Sequence, residues 1–355
     1  MAALNLVNWE ELKLLADKLA QPGEGPGGVL ESEWQMIEQS LNTLISLQDW
    51  KGVVRLREMF SFLVVGDTTG GLPVVQRLNA AAIQAAEQMN EITLAARFLH
   101  DEGHNLHRQG YHKRAIEAFE RSASLYWQVG EEFCALESFY MTALCHRALG
   151  NRKEAQQVLE QVLQQVEEND PWRGNPLQVT AWLKQDEGDL QAAENLLRQA
   201  LSLYEQYQGP ESMLVVQTLA DLGEVVGLQG RYREALELFN KSLDIASKFA
   251  GQFARQEART SLKLAELLTR YGEYERALRL LDRADNQIRG YGHYYDLMWR
   301  IELARAFVYW RQSRFEGAIR KLRRVLWYRR HLGLSNAALA KQLVERLRKG
   351  AGPPR

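Results

Sequence analysis

Three histidines spaced by four and three residues, His100, His104 and His107, are the residues whose types could most readily do chemistry. On a helix that spacing lays the imidazoles along one face, with Asp101 between them and His112 beyond, which suits two ligands to one ion. Two other readings stand beside a metal centre. The side chains could line a binding groove, which needs no ion, or they could be plain solvated and packed histidines. The groove reading is adopted, so neither a metal ion nor a cofactor is expected. A metal-dependent rise in melting temperature would overturn it.

Other signs of catalysis are thin. Cys145 and His146 are adjacent, but neighbours on a helix point about 100° apart and do not form a nucleophile and base. Cys134 and Cys145 fall on one helix roughly 16 Å apart, too far for a disulfide, and read as reduced packing residues in a cytosol. Gly66 to Gly71 lacks the Gly-Lys-Ser/Thr ending of a phosphate-binding loop, and no strand precedes it. A non-enzymatic protein is expected.

Charge supplies a third constellation. The net charge is only −1, yet Arg311 to Arg355 holds thirteen Lys or Arg against Glu316 and Glu345, a local +11 that leaves −12 elsewhere. Arg320, Lys321, Arg323, Arg324, Arg329 and Arg330, interleaved with Trp327 and Tyr328, could bind nucleic acid phosphates and stack on bases. The same face could instead be solvated, meet an acidic protein, or pair with the acidic N-terminal region of a second copy. A homo-oligomer therefore stays open.

The elements that must position these residues are written in a phrase repeated six times: a Gly or Ser, a variable residue, a large residue, two mostly polar residues, then a small one. It begins at Gly110, Gly150, Gly188, Gly230, Gly272 and Ser313 and ends at Ala115, Ala155, Ala193, Ala235, Ala277 and Ala318, with steps of 40, 38, 42, 42 and 41 residues. The glycine ends one helix in the left-handed conformation, and the alanine lets the next helix approach its partner. Apolar residues then follow at three-and-four spacing, as in Ala235, Leu236, Phe239, Leu243 and Ala246. Each unit is a helix hairpin with one buried seam, and repetition at this period means a stacked helical solenoid.

These units resemble tetratricopeptide repeats on specific residues: Leu222-Gly223, Gly230, Tyr232, Ala235, Phe239 and Ser242 in one unit, Leu264-Ala265, Gly272, Tyr274, Ala277 and Ala284 in the next, and Gly103, Gly110, Ala115 and Phe119 in the first. At about 40 residues they exceed the ordinary period of ~34. Long units are similar to the sensor arrays of bacterial STAND-class signalling ATPases, to kinesin light chains and to some peptide-sensing regulators. The resemblance covers residues 92–331 and implies a right-handed superhelical solenoid that holds a protein or peptide in its concave groove, in a setting such as bacterial signalling or defence. By the same alignment the groove residues are Arg97, His100, His104 and Arg108; Tyr140 and Arg147; Trp182; Arg259, Lys263 and Arg270; Arg300, Phe307 and Trp310, the last two of which could instead pack on the next helix. Asp221, Glu224 and Glu266 join them. The Lys/Asn clamp for chaperone tails is not evident.

Departures mark the remainder. Pro171-Trp172-Arg173-Gly174-Asn175-Pro176 predicts a short first helix in the third unit, starting no earlier than Pro176. Residues 1–91 read as a helical capping region with degenerate repeats, including a worn copy at Asp49-Trp50 and a loop from Gly66 to Pro73. Residues 332–355 read as a capping helix, Asn336 to Arg348 behind Ser335, with a flexible tail. Pro22 to Gly28 and Gly350 to Arg355 read as unstructured. No apolar run approaches the ~20 residues that span a bilayer, and Met1 to Ala20 is an acidic amphipathic helix without signal-peptide features. A cytoplasmic protein away from the membrane is expected.

Overall fold

The computed structural model describes residues 7–20, 31–65, 73–249, 251–291 and 295–331. The expected unstructured segments Pro22–Gly28 and Gly350–Arg355, most of the Gly66–Pro73 loop, and the helix behind Ser335 lie outside these residues. Among the described residues every regular element is helical, in keeping with an all-α, tetratricopeptide-like fold. No described helix is long and apolar enough to cross a membrane.

The chain divides into two compact units, Met1–Val158 and Leu159–Arg355. The first holds α1 (Trp9–Leu19), α2 (Glu31–Ser46), α3 (Trp50–Met59), α4 (Ser61–Val65), α5 (Pro73–Gln88), α6 (Ile92–Arg108), α7 (His112–Gln128) and α8 (Glu132–Leu149). Helix α9 (Arg152–Gln165) runs over the boundary. The second unit continues with α10 (Gly174–Glu187), α11 (Leu190–Gln208), α12 (Met213–Leu228), α13 (Tyr232–Lys248), α14 (Ala254–Arg270), α15 (Tyr274–Tyr291), α16 (Tyr295–Arg311) and α17 (Phe315–His331). Within it α12 touches α14, and α14 touches α16, so first helices of successive hairpins lie side by side.

The repeated phrase folds as its chemistry requires. Gly110 has φ +83°, and the turn closes with Tyr111 N–H donating to Leu106 O at 2.8 Å and Gly110 N–H to His107 O at 3.0 Å. That pair of bonds satisfies two carbonyls orphaned at the helix end. The same two bonds recur at Gly150, Gly188, Gly230 and Gly272. Ser313 takes the glycine's place at φ +60°, and Gln48 and Asn90 do so at +52° and +56°, so the turn also occurs where no glycine announces it. All six phrase alanines are fully buried.

Opposite α6 and α12 stands a buried aromatic residue, Phe119 and Phe239 respectively. A Cβ at Gly103 would lie 2.6 Å from Phe119, so glycine is required there by the ring, while one at Gly223 would lie 3.2 Å from Phe239, a tight contact that a small shift of the ring relieves. Helix α10 departs from expectation by starting at Gly174. A 3₁₀ turn over Pro171–Arg173, capped by Asp170 accepting from Trp172 N–H at 2.7 Å, leads into it. Pro176 is only the third residue of α10, where its missing N–H has no intrahelical acceptor to lose. At 14 residues α10 is still shorter than α12 or α14.

Candidate recognition face

In the second unit the first helices carry a tier of polar side chains in register. One repeat step separates Trp182, Asp221 and Lys263, which places them on neighbouring helices α10, α12 and α14. Asp221 is 1% exposed, and its Oδ2 accepts from Gln178 Nε2 at 2.6 Å and Trp182 Nε1 at 2.9 Å. Its Oδ1 accepts from Lys263 Nζ, which also pairs with Glu224 Oε2 at 2.6 Å. Glu224 Oε1 in turn accepts from Gln185 Nε2 at 3.0 Å. Two carboxylates, one ammonium, two amides and an indole thus form one connected set.

Electrostatics explain why these ions tolerate their setting. Burial alone would raise the Glu224 pKa, but the Lys263 ammonium outweighs it, aided by Gln185 and Arg300, and holds it at about 2. Burial would lower Lys263, yet Asp221 and Glu224 overcome this and raise it. Glu266, on the same face of α14, is pushed up by burial against the pull of Arg300, Lys263 and Arg270. Arg270 and Arg300 are exposed at the edge of the set. Arg259 and Lys263 line a recess with Gln217, Gln256 and Thr260 whose volume of ≈ 10 Å³ suits about one water molecule.

The first unit fills the corresponding face with imidazoles. His100 Nδ1 meets Ser138 Oγ at 2.8 Å, and His104 Nε2 meets His100 Nε2 at 3.0 Å. Both rings stand edge-on to Phe119, with centroids 5.5 and 5.3 Å away. Burial, with His100, Arg108 and His107 adding like charge, takes His104 down to about 3, so the pair is neutral at ordinary pH. His107 does not join this pair. It turns to Cys145 on α8, with Nδ1 3.2 Å from Sγ. The three-histidine row of the sequence therefore splits, and Asp101 between them is taken by the buried Arg57 of α3.

The remaining groove candidates have individual surroundings. Arg97 pairs with Glu58 and lies 5.2 Å from the Phe98 ring, while Arg108 donates to Asn105. Tyr140 packs on the cluster around Leu106 and Phe119, and burial pushes its phenol upward. Arg147 is half-buried. Phe307 is 3% exposed and packs with Leu303, Trp310 and Leu322, so it is a core residue and not a groove residue. Trp310 is half-buried, edge-on to Phe315 at 4.8 Å. On α17, Lys321 and Arg324 reach the buried Glu302 at 3.2 and 3.3 Å, whereas Arg320 and Arg323 are exposed. The side chains of Arg329 and Arg330 lie outside the described residues.

Sequence reading missed two links: the meeting of His107 with Cys145, and the buried Arg305 that binds Asp282 at 2.6 Å, Asp285 at 3.0 Å and Glu302 at 2.6 Å. The first was detectable in principle, since 107 and 145 lie 38 residues apart, one repeat step.

Comparison with known proteins agrees with this architecture. Tetratricopeptide-repeat profiles match residues 177–248 and 228–301. No curated protein matches the chain. Among solved structures, the apo form of RapI superposes with a TM-score of 0.58 at 14% identity, covering 74% of this chain and 93% of its own. A Rap protein complexed with Competence and Sporulation Factor gives 0.53 at 14% identity, covering 91% and 99%. A tetratricopeptide repeat protein from Parabacteroides merdae ATCC 43184 gives 0.55 at 16%, covering 84% and 99%. Residues 177–301 are thus tetratricopeptide repeats, set in a chain with the fold of the tetratricopeptide-like helical solenoids.

Proposed function

We propose that this protein is a non-enzymatic recognition scaffold that holds a peptide or protein segment against the first helices α10, α12, α14 and α16. The carrying observation is the linked set Trp182, Asp221, Lys263 and Glu224, with Arg270 and Arg300 exposed beside it. Side chains fixed by one another before binding lose little rotamer freedom when a partner arrives. The exposed guanidiniums suit carboxylates on that partner, with two-pronged geometry available to each. A bacterial signalling or defence setting fits the fold shared with a Rap protein whose structure was solved with Competence and Sporulation Factor. Cys145, the buried thiol, is held near 12 by burial, which suits packing more than nucleophilic attack.

The test is capture from extract of the native cell on the immobilised full chain, followed by mass spectrometry. One stoichiometric protein or peptide should be retained, and Arg270→Glu with Arg300→Glu should weaken its retention by about tenfold or more. Recovery of nucleic acid alone would sink the proposal.

A second reading rests on α17, where Arg320 and Arg323 are exposed and Trp327 is 52% exposed. Cations beside an exposed indole suit single-stranded nucleic acid. Salt-sensitive retention of an oligonucleotide, lost in Arg320→Glu/Arg323→Glu, would favour it.

A further inference from the structure

One group of side chains has no part in the recognition face just described. His107 on α6, His112 at the start of α7 and Cys145 on α8 converge, and their candidate ligand atoms all lie within 4.8 Å of one another. His107 Nδ1 is 3.2 Å from Cys145 Sγ, and the centroids of the two imidazoles are 5.0 Å apart. His112 Nδ1 is buried and has no hydrogen-bond partner. Buried polar atoms are nearly always satisfied, so an orphan ring nitrogen beside a thiol and a second imidazole calls for an occupant.

We propose that these three residues bind one divalent ion of the zinc class, through a nitrogen of each imidazole and the Cys145 thiolate. Zinc bond lengths place tetrahedral N and S ligands roughly 3.5 Å apart, close to the distance already present between His107 and Cys145. Rotation of the half-buried His112 side chain closes the remaining gap. The local fold explains the convergence: the left-handed turn at Gly110 folds the chain back, bringing residue 112 over 107, and one repeat step carries Cys145 alongside.

The donor set selects the ion. A thiolate with two imidazoles suits borderline-soft cations and offers no oxygen to magnesium or calcium, since Asp101 is held by Arg57. Three protein ligands leave a fourth position for water. On binding, the metal–sulfur bond replaces the Cys145 S–H bond and the proton passes to solvent. Arg108 acts electrostatically on His107 and opposes the ion, so affinity falls below that of a site without a neighbouring cation. His107 and His112 are only half-buried and give the ion a path inward.

Cobalt(II) titration of the metal-free full chain tests the assignment. Binding of one ion per chain should give tetrahedral d–d bands and a near-ultraviolet thiolate-to-cobalt absorption that zinc abolishes. Cys145→Ser should remove the thiolate band, and His112→Ala, a change at an accessible helix start, should weaken binding by roughly tenfold or more. Cys134→Ser and His104→Ala should leave the spectrum unchanged. Zinc should raise the melting temperature of the wild type but not of Cys145→Ser. A spectrum without thiolate absorption, a thiolate band that survives Cys145→Ser, or binding lost in His104→Ala but kept in His112→Ala would overturn the site.

Discussion

The first-helix faces of the two units solve one problem with different chemistry. In α6 and α8 the linked groups are neutral: two imidazoles with a buried hydroxyl, and a third imidazole with a buried thiol. In α10, α12 and α14 they are ions, with Lys263 held between Asp221 and Glu224. The backbone of the hairpin demands only that polar groups at these positions be satisfied. Residue choice then decides whether a face responds to acid, tolerates truncation or attracts charge.

The largest expected effect comes from removing the central cation. Lys263→Met removes the ammonium held between Asp221 and Glu224, leaving only the exposed Arg300 to act on Glu224, and should cost about 3–5 kcal/mol in urea unfolding. His104→Leu removes one half of a neutral hydrogen bond and should cost nearer 1–3 kcal/mol. Equal costs would mean that the contrast between the faces is not energetic.

Acid should separate the faces next. His107 sits at about 4 and His104 at about 3 because burial disfavours their charged forms. Their folded values lie below the unfolded 6.5, so the unfolded chain binds protons first and the first unit loses stability as pH falls from about 6.5 towards 4. For His107 the loss reaches about 3 kcal/mol in metal-free protein. Glu224, depressed to about 2, contributes stability above its ordinary value near 4.5 that is lost only below it. Glu266, raised by burial, runs in the opposite direction. Hydrogen exchange followed from pH 7 to pH 3 should therefore show protection failing in α6–α8 before α12–α14. Simultaneous loss would break the distinction.

Packing offers a smaller test. Gly103→Ala drives a Cβ to 2.6 Å from Phe119 and should cost about 1–3 kcal/mol. Gly223→Ala meets Phe239 at 3.2 Å, and the gain of about 1 kcal/mol in helix propensity should offset much of that strain. Thermal melts of the two variants compare ring clearance in the two units. The smallest effect is at the worn turn in the first unit: Gln48→Gly relieves a φ of +52° and should raise stability by less than about 1 kcal/mol, the added unfolded-state freedom offsetting part of the gain.

The hairpins were legible because their signals are local. A glycine at a left-handed turn and an alanine at a helix crossing each state their reason in one residue. At Gln48 only the worn phrase at Asp49-Trp50 marked the turn, and the turn at Asn90 escaped notice although asparagine is the residue after glycine that most readily closes a helix at positive φ. The linked tier was legible as positions and not as links. Alignment picked out Trp182, Asp221 and Lys263 singly, but which oxygen each donor reaches depends on side-chain rotamers. Likewise the four-and-three spacing of His100, His104 and His107 concealed that α8 offers different partners along its length, Ser138 to one ring and Cys145 to another. For Phe307 the residue type alone left groove and core open, and its packing on Leu322 of the next helix decides for the core.

The indole of Trp182 shares Asp221 with Lys263, each on its own carboxylate oxygen. Any ligand group that draws the ammonium away changes the charge felt at the indole, whose N–H lies only 2.9 Å from that carboxylate. A partner bound at the proposed face should therefore change the emission of this indole. A shift in emission that disappears in Trp182→Phe would report engagement of this tier without a label.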